Sequence, residues 1–162
     1  MKTRTDGSIS VFGLGPVCLV TAVCFAIKGH RVVGIDLDRD RLEKIGRGEA
    51  PFFEPKSTKY VKVSVASGKL TVTDDASANG QSNLAYITVG TPSNEDGSLD
   101  VKYVRNAAIA IGRSLRDPER YQLIAVKSTV TPGTARNVVK PLIERESGKT
   151  AGAGFGLCCP TY

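Results

Sequence analysis

Residues 8–36 read SISVFGLGPVCLVTAVCFAIKGHRVVGID, and no other stretch constrains the fold as strongly. Ser8 to Phe12 is short, apolar and closed by a glycine, which is the pattern of a buried strand. Gly13-Leu14-Gly15 follows. Val17, Val20, Val23, Cys24 and Ile27 then recur at helical spacing, and Gly29 ends the run. Arg31 to Asp36 is a second strand-like segment. Two strands joined by a helix form a parallel pair, because a parallel connection needs a crossover rather than a tight turn.

The alternation continues to the end of the chain. Asp38 is placed to cap a helix running through Ile45, with Gly46 and Gly48 behind it. Residues 57–67 read as helical, Leu70 to Thr73 and Leu84 to Val89 as strands. Asp100 looks like an N-cap for a helix whose inner face is Val101, Val104, Ala108, Ile111 and Leu115. Gln122 to Lys127 is a strand. Thr134 to Glu146 reads as one helix with Val138, Val139, Leu142 and Ile143 inward. Pro141 should kink it, since its missing N–H removes the bond to Asn137. Phe155 to Cys158 is a last short strand. The pattern predicts an α/β fold: a Rossmann-type doubly wound, mostly parallel sheet of about six strands with helices on both faces. A chain of 162 residues suits one domain spanning 1–162.

Composition removes several alternatives. Apolar residues at 41% and charged residues at 23% suit a packed core rather than a disordered chain. The longest apolar run, Pro16 to Ile27, is broken by Thr21 and too short to cross a bilayer, so no membrane partner is expected and a cytoplasmic setting is. The four cysteines show no C-x-x-C spacing and His30 is the single histidine, so no metal site is expected. Cys18 and Cys24, in an apolar helical stretch, read as buried reduced thiols. The net charge of +6 comes from scattered Lys and Arg without interleaved aromatics, which argues against nucleic acid.

The first crossover carries the chemistry. Gly13 permits the tight turn and Gly15 lets the backbone approach a pyrophosphate. The helix that begins at Pro16 and Val17 aims its free N–H groups and positive dipole end at that anion. Asp36 follows Gly13 by 23 positions at the end of the second strand. A carboxylate there accepts hydrogen bonds from both adenosine ribose hydroxyls and repels a 2′-phosphate, so NAD is favoured over NADP. Two residues break the pattern. Cys18 replaces the third glycine, whose role is close helix–strand packing. Pro16 has no N–H to give, and a lost bond to a charged group is worth about 1.5–3 kcal/mol, or roughly ten- to a hundredfold in affinity.

PFFEP (51–55), VGTPSNEDGSLDVKYV (89–104), KSTVTPGT (127–134) and VVKPLIERESGKTAGAGFGLCC, taken with GLG and GHRVVGID, resemble the nucleotide-sugar 6-dehydrogenases, the UDP-glucose and GDP-mannose dehydrogenase family. The resemblance covers nearly the whole chain, in order. It implies an NAD-binding amino-terminal domain of an enzyme that oxidises a sugar C6 hydroxyl to a carboxylate with two NAD, acting on a nucleotide-sugar substrate as a homodimer. In that family a cysteine traps the aldehyde as a thiohemiacetal, and water hydrolyses the later thioester. The resemblance gives Gly13, Gly15 and Asp36 the cradle and ribose roles, and puts Arg41 where a lysine often stands near the adenosine end. Thr91 is placed beside NAD, and Thr129 is the catalytic-site threonine that positions the hydrolytic water. Glu54 reads as structural, and Cys158 and Cys159 as strand cysteines rather than the nucleophile. The chain departs from the family at Pro16, Cys18 and Lys56. The family's central helix, catalytic cysteine and sugar-nucleotide domain lie past Pro160-Thr161-Tyr162, so the chain alone is expected to bind NAD weakly and oxidise nothing. A non-catalytic, divergent dinucleotide-binding module is the alternative reading.

Overall fold

The computed structural model describes residues 7–52, 57–117 and 119–159. Glu54 and Lys56 lie outside them. Six strands form one parallel sheet: β1 (Ser8–Phe12), β2 (Arg31–Ile35), β3 (Leu70–Thr73), β4 (Leu84–Ile87), β5 (Gln122–Val126) and β6 (Phe155–Cys158). Their spatial order is β3-β2-β1-β4-β5-β6, and every neighbouring pair is parallel. The order reverses direction between β1 and β4, the switch point at which such sheets open a crevice beyond the strands' carboxyl ends.

Helices α1 (Pro16–Ile27), α2 (Arg39–Gly46) and α3 (Ser57–Ala66) cover one face. Their core joins Leu19, Ala22, Val23, Ala26, Ile45 and Val61 to Ile9, Val11, Val32 and Leu70 of the sheet. On the other face, α4 (Lys102–Ser114) and α5 (Lys140–Ser147) bury Val104, Ala108, Ile111, Leu142 and Ile143 against Ala85, Ile87, Ile124, Val126 and Phe155. Gly112 lets α4 and α5 meet closely, since a Cβ there would stand 2.7 Å from Glu146 Cβ.

Four expectations need correction. The inner face of α1 is Leu19, Ala22, Val23 and Ala26, while Val17, Val20, Cys24 and Ile27 are exposed. The helix is apolar nearly all round, so periodicity did not choose a face, and the small alanines let it sit close to the sheet. Cys24 is therefore not a core thiol, and Cys18 is only half-buried. Residues 134–146 are not one kinked α-helix. A π turn over Ala135–Val139 precedes α5, and the Lys140 N–H donates to the Ala135 carbonyl five residues back. The wider turn moves Pro141 into the opening turn of α5, where a missing N–H costs nothing. Asp100 sits one residue ahead of the cap position, although its carboxylate accepts from the Lys102 N–H at 2.8 Å. A 3₁₀ turn over Ala76–Gln81, absent from the sequence reading, seals the sheet's amino-terminal edge. There Asn79, fully buried, bonds to the side chains of Ser10, Ser114 and Gln122.

Candidate functional site

A cavity of about 770 Å³ opens beyond the carboxyl ends of β1, β2 and β4. Its walls include Gly13, Leu14 and Gly15 after β1, Asp36, Asp38 and Arg41 after β2, and Thr88 to Gly90 after β4. Tyr103, Asn106 and Ala107 of α4 close the far side.

The glycine bend is held from three directions. The Gly13 N–H donates to the Ile35 carbonyl at 2.8 Å. The Thr88 hydroxyl donates to the carbonyls of Phe12 at 2.8 Å and Gly13 at 3.1 Å. Leu14 is fully buried beneath the bend, against Gly34, where a Cβ would lie 2.8 Å from the leucine methyls. Gly13 has φ +92°, and a Cβ on it would approach the Thr88 carbonyl oxygen to 2.9 Å. Gly15 differs in kind. Its backbone is ordinary (φ −62°, ψ 176°), and a Cβ would meet no protein atom within 4 Å. The protein itself does not require glycine at Gly15. The space beside Gly15 on that wall of the cavity is open.

Asp36 closes the other side of the bend. Its Oδ2 accepts from the Leu14 N–H at 2.6 Å and from Arg41 Nη1 at 2.8 Å, and its Oδ1 accepts from the Asp38 N–H at 3.0 Å. Burial alone would push this carboxyl up. The N–H groups of Asp38 and Leu14 and the Arg41 guanidinium outweigh that penalty and hold it below the ordinary value of 3.8. Arg41 also pairs with Asp38 at 3.1 Å, and its guanidinium lies 5.4 Å from the Phe52 ring centroid. Asp38 caps α2 as expected, accepting from the Arg41 N–H at 3.0 Å.

The structure brings Gly13, Gly15, Asp36 and Arg41 around the cavity and sets the other candidates apart. The exposed Pro16 ring lines a groove with Leu19, Val20, Phe52 and Val61 between α1 and α3, and it is not part of the cavity wall. Val17 is 75% exposed. The first helical bond runs from the Leu19 N–H to the Gly15 carbonyl at 2.9 Å, which leaves the Val17 and Cys18 amides ahead of it. The Cys18 thiol sits at 3.2 Å from the Thr88 carbonyl oxygen and donates to it, so the bulk that replaced glycine gains a partner on β4's exit. Thr91 and Thr129 meet each other outside the cavity lining: the Thr91 hydroxyl donates to the Thr129 carbonyl at 2.8 Å, and the Thr129 side chain is exposed. Burial pushes the Cys158 thiol up, with Cys159 adding to it, the opposite of an activated nucleophile. Thr88 was missed. The signal available was a hydroxyl ending an apolar run, LAYITV, at a strand's carboxyl end.

The model of the UDP-glucose/GDP-mannose dehydrogenase family, NAD binding domain, matches residues 7–161. The chain belongs to this family. It is 42% identical over 150 residues to GDP-mannose 6-dehydrogenase of Pseudomonas putida, covering 92% of this chain and 34% of that protein. It is 35% identical over 149 residues to a UDP-glucose 6-dehydrogenase of Haloferax volcanii, with the same coverage of 92% and 34%. Among solved structures, a ternary complex of GDP-mannose dehydrogenase from Pseudomonas aeruginosa superposes with a TM-score of 0.89 at 40% identity, covering 92% of this chain and 34% of that one. A UDP-glucose dehydrogenase from Pyrobaculum islandicum also gives 0.89, at 36% identity over 99% of this chain and 38% of that one. The chain thus spans about a third of the length of these relatives, and it is the NAD-binding portion of a nucleotide-sugar dehydrogenase fold. No helix among the described residues is long and apolar enough to cross a membrane.

Proposed function

We propose that this chain holds NAD for the oxidation of a nucleotide sugar's C6 hydroxyl to a carboxylate, with UDP-glucose or GDP-mannose as the substrate class. One observation carries the reading: Asp36 Oδ2 reaches the Leu14 N–H at 2.6 Å, so the acid and the glycine bend share one cavity wall. When bound, NAD supplies the hydride acceptor. Gly13 and Gly15 keep side chains out of the pyrophosphate's place. Val17 presents the first amide that α1 has to offer, because Pro16 contributes none. Asp36 takes the ribose hydroxyls, with Arg41 fixing its carboxylate. Thr91, tied to Thr129, orders the loops beside the nicotinamide end, and the Thr129 hydroxyl holds the hydrolytic water, since a hydroxyl both donates and accepts. The cavity's acids disfavour a 2′-phosphate, which supports NAD over NADP. The free thiols of Cys18, Cys24, Cys158 and Cys159 support a cytoplasmic setting, where a uronic acid would feed polysaccharide synthesis. The complete enzyme is proposed to be a homodimer, with no role for nucleic acid.

Calorimetric titration of the chain with NAD tests the reading. Saturable one-to-one binding, with NADP binding more weakly, is expected. No saturable heat at millimolar NAD would overturn it.

A further inference from the structure

We infer that the amino-terminal ends of β2 and β3 hold a second anion site, one that takes a phosphate group, either free or carried on a small phosphomonoester. A cavity of about 320 Å³ opens there, at the end of the sheet opposite the cofactor cavity, and the two share no lining residue. Arg31 opens β2, and Lys69 immediately precedes β3. The register pairs Val32 with Leu70, and the Val32 N–H donates to the Lys69 carbonyl at 2.7 Å. Arg31 and Lys69 therefore stand side by side one residue back, and both line the cavity. Strand alternation accounts for the shared face. Val32 and Leu70 are buried in the core under α1 to α3, so Arg31, Lys69 and Thr71 fall on the other face. There the 3₁₀ turn supplies Ala78 and Gln81 as further wall.

The two cations are uncompensated. No Asp or Glu lines the cavity, and neither Arg31 nor Lys69 is ion-paired among the described residues. Arg39, Arg41, Arg113 and Arg145, by contrast, each meet a carboxylate within 3.2 Å. Like charges on neighbouring strand positions repel. Lys69 is half-buried, so water screens it less than a surface lysine. A dianion placed between the two turns that repulsion into two attractions. The guanidinium offers a paired fork to phosphate oxygens, and the ammonium a point charge. Thr71 adds a hydroxyl whose bond to the Val32 carbonyl is long, at 3.5 Å, and is easily given up. The cavity leaves room beyond the phosphate for a small ester group.

The test is a backbone amide NMR titration of the chain, at physiological salt, with inorganic phosphate and separately with glucose 6-phosphate. Saturable shifts of the Arg31, Val32, Lys69 and Thr71 amides are expected below about 10 mM. Tighter binding of the sugar phosphate assigns the site to a phosphomonoester; equal or tighter binding of inorganic phosphate assigns it to the free ion. Arg31→Gln and Lys69→Gln should each weaken binding about tenfold or more. Lys28→Gln, which removes a cation at the same end of the sheet but outside the cavity, should leave it unchanged. Phosphate should raise the melting temperature of wild type and of neither cavity variant. In phosphate-free buffer neither cavity variant should melt below wild type, because each removes a like-charge contact; a fall in both shows the pair already neutralised within the chain and overturns the inference. Shifts confined to the Gly15, Val17 and Cys18 amides place the phosphate in the glycine bend and overturn it too. So do shifts that fail to saturate, and a loss in Lys28→Gln equal to that in Arg31→Gln, which makes the response one of diffuse surface charge.

Discussion

Gly13 and Gly15 sit two residues apart in one bend, yet alanine should do opposite things at the two positions. At Gly13 the backbone φ of +92° costs an L-residue about 1–2 kcal/mol. The new Cβ would also lie 2.9 Å from the Thr88 carbonyl oxygen and 3.0 Å from Val89 Cα. Both are backbone atoms at the exit of β4, so relief means shifting the strand end, an overpacking cost of about 1–3 kcal/mol. Together Gly13→Ala should destabilise by about 2–5 kcal/mol, a fall in Tm of roughly 5–15 °C for a chain of this size. At Gly15 neither cost exists. Alanine is somewhat poorer than glycine ahead of a helix, by about 0.5–1 kcal/mol, and it gains about 0.4–1 kcal/mol by restricting the unfolded chain. Those effects offset each other, so Gly15→Ala should melt within about 3 °C of wild type. Its methyl would instead stand where the pyrophosphate belongs, weakening NAD by roughly five- to a hundredfold. Differential scanning calorimetry and NAD titration on both variants separate the two effects. A Gly15→Ala chain that binds NAD like wild type would refute the argument that a ligand, rather than the fold, accounts for that glycine.

Pro16→Ala returns an N–H to the start of α1 and should tighten NAD by about tenfold or more, read by the same titration; unchanged affinity means the pyrophosphate does not use that amide. The Asp36 carboxyl, held below 3.8 by its N–H and guanidinium partners, contributes stability and cofactor affinity that are fully present above its unfolded value. Both are lost as pH falls through the lower folded value, and following the Leu14 amide resonance in an acid titration would show its bond to Asp36 surviving past the ordinary carboxylate value of 3.8 and breaking only at lower pH. Asn79→Ala strips partners from the buried Gln122 and Ser10 and should cost about 2–4 kcal/mol in urea unfolding, with NAD affinity unchanged because the cluster lies at the opposite end of the sheet.

The sheet could be read from the sequence because each of its strands is a short apolar run between turn residues, and those are local properties. All six strands fall where the runs predicted them, with ends differing by a residue or two, and the crossover rule supplies their parallel pairing. The face of α1 was not readable for the same reason in reverse: when Val17, Val20, Cys24 and Ile27 alternate with Leu19, Ala22, Val23 and Ala26, every face is apolar, and only the approach distance to the sheet decides. The π turn before α5 escaped because proline's missing N–H can be absorbed by a kink or by a wider turn, and local sequence does not distinguish them.

Asn79 and Gln122 lie 43 residues apart, and nothing periodic links them. In sequence one sits in a polar stretch and the other begins a strand, and each alone would be assigned to the surface. Their mutual burial is a property of the folded edge. The candidate site shows the same division. Gly13, Gly15 and Asp36 announce themselves by spacing, because their roles follow from one crossover. The two residues that break the pattern are explained only by distant partners: Cys18 finds the Thr88 carbonyl, 70 residues on, and Pro16 lines the groove between α1 and α3 beside Phe52. A motif read residue by residue counts both as defects. In the fold, one is bonded and the other faces away, so what remains of the defect is a single missing amide at the head of α1. That amide, and not the altered third glycine, is the feature of this cradle that should set its affinity for a pyrophosphate.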